Sequence, residues 1–324
     1  MKRSLSGIQP SGILHLGNYF GAIKQFIESQ DKCEGLYFVA DYHSLTSGTS
    51  PESLRENSYN VVLDYLALGL DPEKSTIFLQ SDVPEHTELY WILSNLTPVA
   101  LMERGHSFKD KIEKGISPNM GLLSYPILMA ADILIYDTDI VPVGKDQKQH
   151  VEMTRDIAIK FNEKYGEMFK LPEEKILENT AIVVGVDGLK MSKSYNNTIN
   201  MFLSKKELKK QIMSIVTDST PLEEPKDPEN NIVKLYSLFV TPEKVQEMKN
   251  KFKAGNYGYG HGKNELLETV LEYFKEARER REEFVANPEL VNEILRKGAE
   301  KARGLAKNKI IEVKKMVGLL GNRY

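Results

Sequence analysis

Hydrophobic and polar positions divide the chain into two regimes. Up to about residue 203, short apolar runs of strand length alternate with longer segments whose apolar residues recur at helical spacing; from about residue 204 helical periodicity takes over. Residues 4–8, 36–40, 75–80, 140–143 and 182–186 predict short buried strands. A helix is expected from near Gly17. Another is expected over residues 51–69, with Pro51 suited to its first position and Gly69 to its stop, and others at about 85–95, at 125–136 and after the turn at 144–147. This alternation predicts an α/β fold: a Rossmann-like parallel-sheet domain over residues 1–203, followed by an α-helical domain over residues 204–324. Binding loops then gather at the carboxyl ends of the strands. Residues 99–123 interrupt the rhythm with Lys109, Lys111 and Lys114 and read as a basic loop, and residues 255–262 read as a turn.

Composition narrows the picture. The 324 residues carry 41% hydrophobic and 27% charged side chains, enough to bury a full core, and a net charge of -3 that gives no global attraction to nucleic acid. Any such contact must come from a local patch. Residues 294–316 supply a candidate, with Arg296, Lys297, Lys301, Arg303, Lys307, Lys309, Lys314 and Lys315 against Glu300 and Glu312. On charge alone a solvated helix face fits equally well. Cys33 is the only cysteine, which excludes an internal disulfide and any Cys-rich zinc or iron–sulfur site. The basic start, MKRSLSGIQP, has no apolar signal run behind it, and no segment approaches 18 uninterrupted apolar residues. A cytoplasmic protein without a membrane anchor is expected.

Residues 4–23, SLSGIQPSGILHLGNYFGAI, lay out a strand, a tight turn through Gln9, Pro10, Ser11 and Gly12, and a helix start. Free backbone N–H groups there favour a phosphate. His15 and Asn18 sit where their side chains reach phosphate oxygens, and Gly17 leaves room for a flat ring. The segment is neither a P-loop nor a G-x-G-x-x-G turn, and H-x-G-N also fits an ordinary strand-to-helix junction. Lys190, Ser192, Lys193 and Ser194 follow the predicted 182–186 strand on a loop able to fold over a polyphosphate; a solvated basic loop is the plainer alternative. On the apolar helix 125–136, Tyr125, Met129 and Asp132 share one face, a candidate pocket wall. A carboxylate there is costly unless paired, so Asp132 is either a polar anchor or lies at a helix edge.

H-x-G-N after a first strand and K-M-S-K-S after a late one resemble the two signatures of class I aminoacyl-tRNA synthetases. The phrases SGIQPSG, LLSYPILMAADILIYDTDIVPVGKDQKQHVEMTRDIA and GLKMSKSYNNTI are similar to the bacterial tryptophan-specific branch, and the likeness runs from residue 4 through the C-terminal helices. The resemblance implies activation of L-tryptophan by ATP with Mg²⁺, transfer to tRNA(Trp), a homodimer with its interface around residues 84–126, and a helical anticodon-binding domain. It assigns ATP to Gln9, Pro10, Ser11, His15, Gly17, Asn18, Gly144, Lys145, Asp146 and Ile182. Lys111 and the loop of Lys190, Met191, Ser192, Lys193 and Ser194 close over the phosphates. Asp132 accepts the indole N–H between Met129, Val141 and Val143, while Tyr125, Gln147, Gln9 and His43 address the ammonium and carboxylate. Asn18 stands where many members carry a second His, and Leu5 where some carry an aromatic ring. No insertion is large enough for an editing domain. The tyrosine-specific sister branch is the nearest competitor, though Met129 stands where some of its members have a Gln. A nucleotidylyltransferase and a catalytically silent RNA-binding paralogue are the alternatives from other classes.

Overall fold

The computed structural model describes residues 1–103, 119–144, 147–176 and 183–319. Lys109, Lys111, Lys114, Lys145, Asp146 and Ile182 lie outside them.

Five parallel strands, β1 (Arg3–Ile8), β2 (Glu34–Val39), β3 (Ser75–Leu79), β4 (Ile140–Val143) and β5 (Glu173–Ile176), form one sheet in the order β3-β2-β1-β4-β5. Register runs from Arg3↔Glu34 to Ile8↔Val39 between β1 and β2, and Ser4 pairs with Ile140 across β1 and β4. The chain grows from β1 to one edge and then from β4 to the other. Its direction of growth therefore reverses between β1 and β4, and loops diverge there to leave a crevice at the strand carboxyl ends.

Four of the expected strands appear within a residue or two of their predicted bounds. Of the predicted 182–186 strand, the described residues 183–186 form no sheet strand: Val184 makes an isolated antiparallel bridge with Lys190. The fifth strand is instead Glu173–Ile176, EEKI, at the sheet edge beyond β4. An edge strand is not buried on both faces, so it needs no continuous apolar run and gave no such signal. The helix Pro51–Leu68 begins at a Ser50 cap with Pro51 in its first turn and stops at Gly69, whose φ is 107°. Met120–Leu134 starts earlier than expected, because Asn119 accepts the N–H of Leu122 as a cap and Pro126 is accommodated inside the helix. Of residues 255–262, only the first part is a turn; the helix Tyr259–Tyr273 has already begun.

Two apolar layers cover the sheet. Leu16, Phe26, Val62 and Leu66 lie in one, together with Leu208, Phe252 and Leu266 from the C-terminal helices. Leu89, Ile127, Leu134, Val151 and Phe161 build the other. The helix Pro288–Met316 joins them, placing Val291 and Leu295 in the first layer and Ala302, Ala306, Ile310 and Val313 in the second. It crosses edge strand β3 at Gly298, where a Cβ would lie 1.8 Å from the Ile77 carbonyl oxygen. That crossing covers a strand edge that would otherwise be open to pairing.

Ion pairs complete the seam. Arg303 reaches Glu85 (3.1 Å), Lys309 reaches Asp137 (2.7 Å) and Lys314 reaches Glu88 (2.7 Å), while Arg296 and Lys297 pair with acids of their own helix. Much of the 294–316 charge excess is thus spent within the chain, on acids far away in sequence. Lys301, Lys307 and Lys315 form no ion pair among the described residues. Gly298→Val is expected to lower stability by roughly 1–3 kcal/mol, since the obstacle is backbone and cannot rotate away. Urea unfolding checks this, and an unchanged midpoint would show that the helix does not rest on β3 in solution.

Candidate active site

The crevice beside β1 holds a cavity of about 520 Å³. Gln9, Ser11 and Asn18 line it together with His43, Tyr125, Met129, Asp132, Val141, Val143, Gly144 and Gln147. Residues predicted for a nucleotide and for an amino-acid side chain therefore share one continuous space. Pro10 is buried in the turn above β1, His15 and Gly17 stand at the helix start, and residues 190–194 flank the cavity without being part of its wall.

At the helix start, His15 acts as the cap. Its Nδ1 accepts the N–H of Gly17 (3.1 Å), and the backbone N–H of His15 is accepted by Asn18 Oδ1 (3.0 Å). The ring that Gly17 makes room for is the His15 imidazole, since a Cβ on Gly17 would sit 2.9 Å from it. Burial, reinforced by the Lys193 charge, lowers the His15 pKa to about 4. The ring is neutral at pH 7, with Nδ1 committed as acceptor and the proton on Nε2. The Asn18 NH₂ and His15 Nε2–H are then the donors this turn has to offer. A π-helical turn, Tyr19–Ile23, continues the helix.

The K-M-S-K-S loop is stitched to this turn. Leu16 N–H donates to the Ile199 carbonyl (2.9 Å), and Asn200 Nδ2 donates to the Leu14 carbonyl (3.1 Å). Lys193 Nζ donates to the Gly12 carbonyl (2.7 Å) and to Ser11 Oγ (3.4 Å). Burial pulls its pKa down to about 8 against the opposing charge of Asp64. Met191 is buried against the core, whereas Lys190 and Ser194 are exposed. Asn197 holds the loop from behind: Nδ2 donates to Asp187 Oδ1 (2.8 Å) and the Lys190 carbonyl (3.1 Å), and Oδ1 accepts the Ser192 N–H (2.7 Å).

At the far end, Asp132 is 1% exposed and is a polar anchor, not a helix-edge residue. Its carboxylate accepts from His43 Nε2 (2.9 Å), from His86 Nδ1 (2.5 Å) and from Gln80 Nε2 at both oxygens (2.8 and 2.9 Å). Burial pushes its pKa up, but the His43 and His86 contacts overcome this and hold it at about 2. An ionised acceptor thus sits beside the sulfur and methyl groups of Met129, Val141 and Val143. Tyr125 Oη and His150 Nε2 meet at 2.8 Å on the same wall. Gln80, His86, His150 and Asn197 escaped the sequence reading, because isolated polar residues carry no spacing signal. The unpaired Asp132 in an apolar helix was the one clue that partners must exist.

A parallel sheet with H-x-G-N at its crevice and K-M-S-K-S fastened over that turn defines an aminoacyl-tRNA synthetase of class I. The chain belongs to the family "tRNA synthetases class I (W and Y)", whose model matches residues 2–275. It is 69% identical over 325 residues to the tryptophan–tRNA ligase of Fusobacterium nucleatum, covering 100% of both chains. The structure matches that of Campylobacter jejuni tryptophanyl-tRNA synthetase complexed with ADP and tryptophan, with a TM-score of 0.93, 55% identity and 98% and 100% of the two chains covered. For the Mycoplasma pneumoniae tryptophanyl-tRNA synthetase the TM-score is 0.82 at 33% identity, with 98% of each chain covered.

Proposed function

We propose that this cavity joins L-tryptophan to ATP and that the protein is a tryptophan–tRNA ligase. The reading rests above all on the buried, ionised Asp132 set among apolar walls at one end of a space whose other end is the H-x-G-N turn. An indole has a single polar atom, a donor, and Asp132 is an acceptor. A phenol could donate to the same carboxylate but would leave its own lone pairs against Met129 and the valines.

His15 Nε2–H, the Asn18 amide, Lys190 and Lys193 hold the phosphates, together with Lys111 outside the described residues. Gln9, Pro10, Ser11, Gly17, Gly144, Met191, Ser192 and Ser194 shape the rest of the ATP site, with Lys145, Asp146 and Ile182 as further contacts. Gln9, His43, Tyr125 and Gln147 orient the ammonium and carboxylate of the amino acid. That carboxylate is already ionised at neutral pH, so it attacks the α-phosphorus without a catalytic base, and pyrophosphate leaves with its charge neutralised by the lysines. A terminal ribose hydroxyl of tRNA(Trp), the 2′-OH in most of this class, then attacks the acyl carbonyl, and AMP departs.

Among the described residues no group of three or more His, Cys, Asp or Glu could hold a metal ion. The donor set, amides, lysines and one neutral imidazole, suits phosphate oxygens, and Mg²⁺ fits as the companion of ATP with charge neutralisation as its chemistry.

Residues 204–324 are assigned to the tRNA anticodon stem, with Lys301 and Lys307 free for its phosphates. Trp91, Val99 and Met120 are 68%, 60% and 71% exposed on helices of the 84–126 region, a surface suited to a second copy of the chain. No helix among the described residues is long and apolar enough to cross a membrane, and translation places the enzyme in the cytoplasm.

ATP–pyrophosphate exchange without tRNA should proceed with tryptophan, stay near background with tyrosine and stop on Mg²⁺ chelation; equal exchange with tyrosine would overturn the specificity. Reversing the charge of Lys301 and Lys307 should raise the KM for tRNA and flatten its salt dependence while sparing exchange. Equal loss of both steps would count against the functional division of the chain. Sedimentation should give a dimer for the native protein and a monomer for Trp91→Lys; a native monomer excludes the interface.

A further inference from the structure

Behind Asp132 lies a group of side chains that the reaction does not touch. His86 is 0% exposed, is absent from the cavity wall, and is boxed by the rings of Phe38, Phe78 and Tyr136 at centroid distances of 6.2, 6.3 and 5.4 Å. Its ring cannot turn without displacing core. Nδ1 meets Asp132 Oδ1 at 2.5 Å and Nε2 meets Tyr136 Oη at 2.6 Å. Burial, with Asp132 and Glu85 nearby, pushes the Tyr136 pKa up, so its hydroxyl keeps its proton and donates to Nε2. The Nδ1 proton is then directed at the carboxylate. Gln80 works alongside: its NH₂ faces Asp132, while its carbonyl oxygen is buried without a hydrogen-bond partner.

Resting on the reading of the cavity as the tryptophan site, we propose that His86, with its tautomer set by Tyr136, is a positioning residue for substrate selection. It holds Asp132 as an ionised, acceptor-only group and so dictates that the side chain bound in front must be a hydrogen-bond donor, as the indole N–H is. His43 differs in kind, because it lines the cavity and bonds the other oxygen. Four neighbours therefore decide the state of Asp132: His43, Gln80, His86 and, through His86, Tyr136. Without the His86 donor, burial is less opposed and the carboxyl pKa rises. The acid form then appears as pH falls, and it presents a hydroxyl where an acceptor is needed.

The test is pyrophosphate exchange with tryptophan and with benzothienylalanine, in which sulfur replaces the indole N–H, for the native enzyme and for His86→Leu, His86→Asn and Tyr136→Phe. The native enzyme should prefer tryptophan. In His86→Leu and Tyr136→Phe the KM for tryptophan should rise about tenfold with kcat nearly unchanged, and the preference over the sulfur analogue should shrink by a similar factor. The rise should steepen toward low pH. His86→Asn, whose amide nitrogen stands near the Nδ1 position, should recover part of the loss. Tyr136→Phe keeps the ring and its packing, so it reports even where His86→Leu does not fold. Native discrimination with a flat pH profile in Tyr136→Phe would overturn the positioning role alone. A native enzyme that activates both amino acids equally would overturn the acceptor reading, and this inference with it.

Discussion

A negative charge inside an apolar helix is the constraint around which the site is arranged. The side chains about Asp132 are Met129, Ile133 and the valines of β4, and an unpaired carboxylate there would face a desolvation penalty of several kcal/mol. The chain meets it from three separate places: His43 just beyond β2, Gln80 just beyond β3, and His86 in the helix that follows. Each lies near the carboxyl end of a strand, where the sheet topology gathers loops. Satisfying the charge therefore fixes the wall of the cavity around Asp132, and the fold's geometry and the pocket's chemistry become one requirement.

The end of the cavity at the H-x-G-N turn is built by a different device. Its groups are a side-chain amide, a neutral imidazole and long cations, and their placement depends on hydrogen bonds between segments remote in sequence. Ile199 and Asn200 grip residues 14–16, and Lys193 is anchored on the Gly12 carbonyl. The second signature is thus positioned by the chain that follows it as much as by the loop that precedes it. A buried neutral His15 and a Lys193 of depressed pKa are the electrostatic result of that closeness. An anion arriving there would raise the lysine pKa back toward its ordinary value and give the imidazole N–H a partner.

The long C-terminal helix links these parts to the rest of the molecule. It closes the β3 edge at Gly298 and grips the helix carrying His86 through Glu85 and Glu88. On charge alone its basic stretch, residues 294–316, fits a nucleic-acid backbone and a solvated helix face equally well. In the structure it divides into residues paired with acids of earlier segments or of the same helix and a few left facing solvent.

The local patterns determined much of this by themselves. Doubly buried strands announce themselves as apolar runs, helix ends by Pro51 and Gly69, and the two signatures by residue order, because each depends on interactions within a few positions. What only the tertiary structure decided lies between distant segments. The edge strand Glu173–Ile176 has no apolar run to betray it, and residues 183–185, apolar enough for a strand, pair with residues 189–191 in a hairpin of their own. His86, Gln80 and Tyr136 have no legible spacing, since what brings them to Asp132 is the cost of burying a charge, and that cost arises only once the helix, the sheet and the loops are packed together.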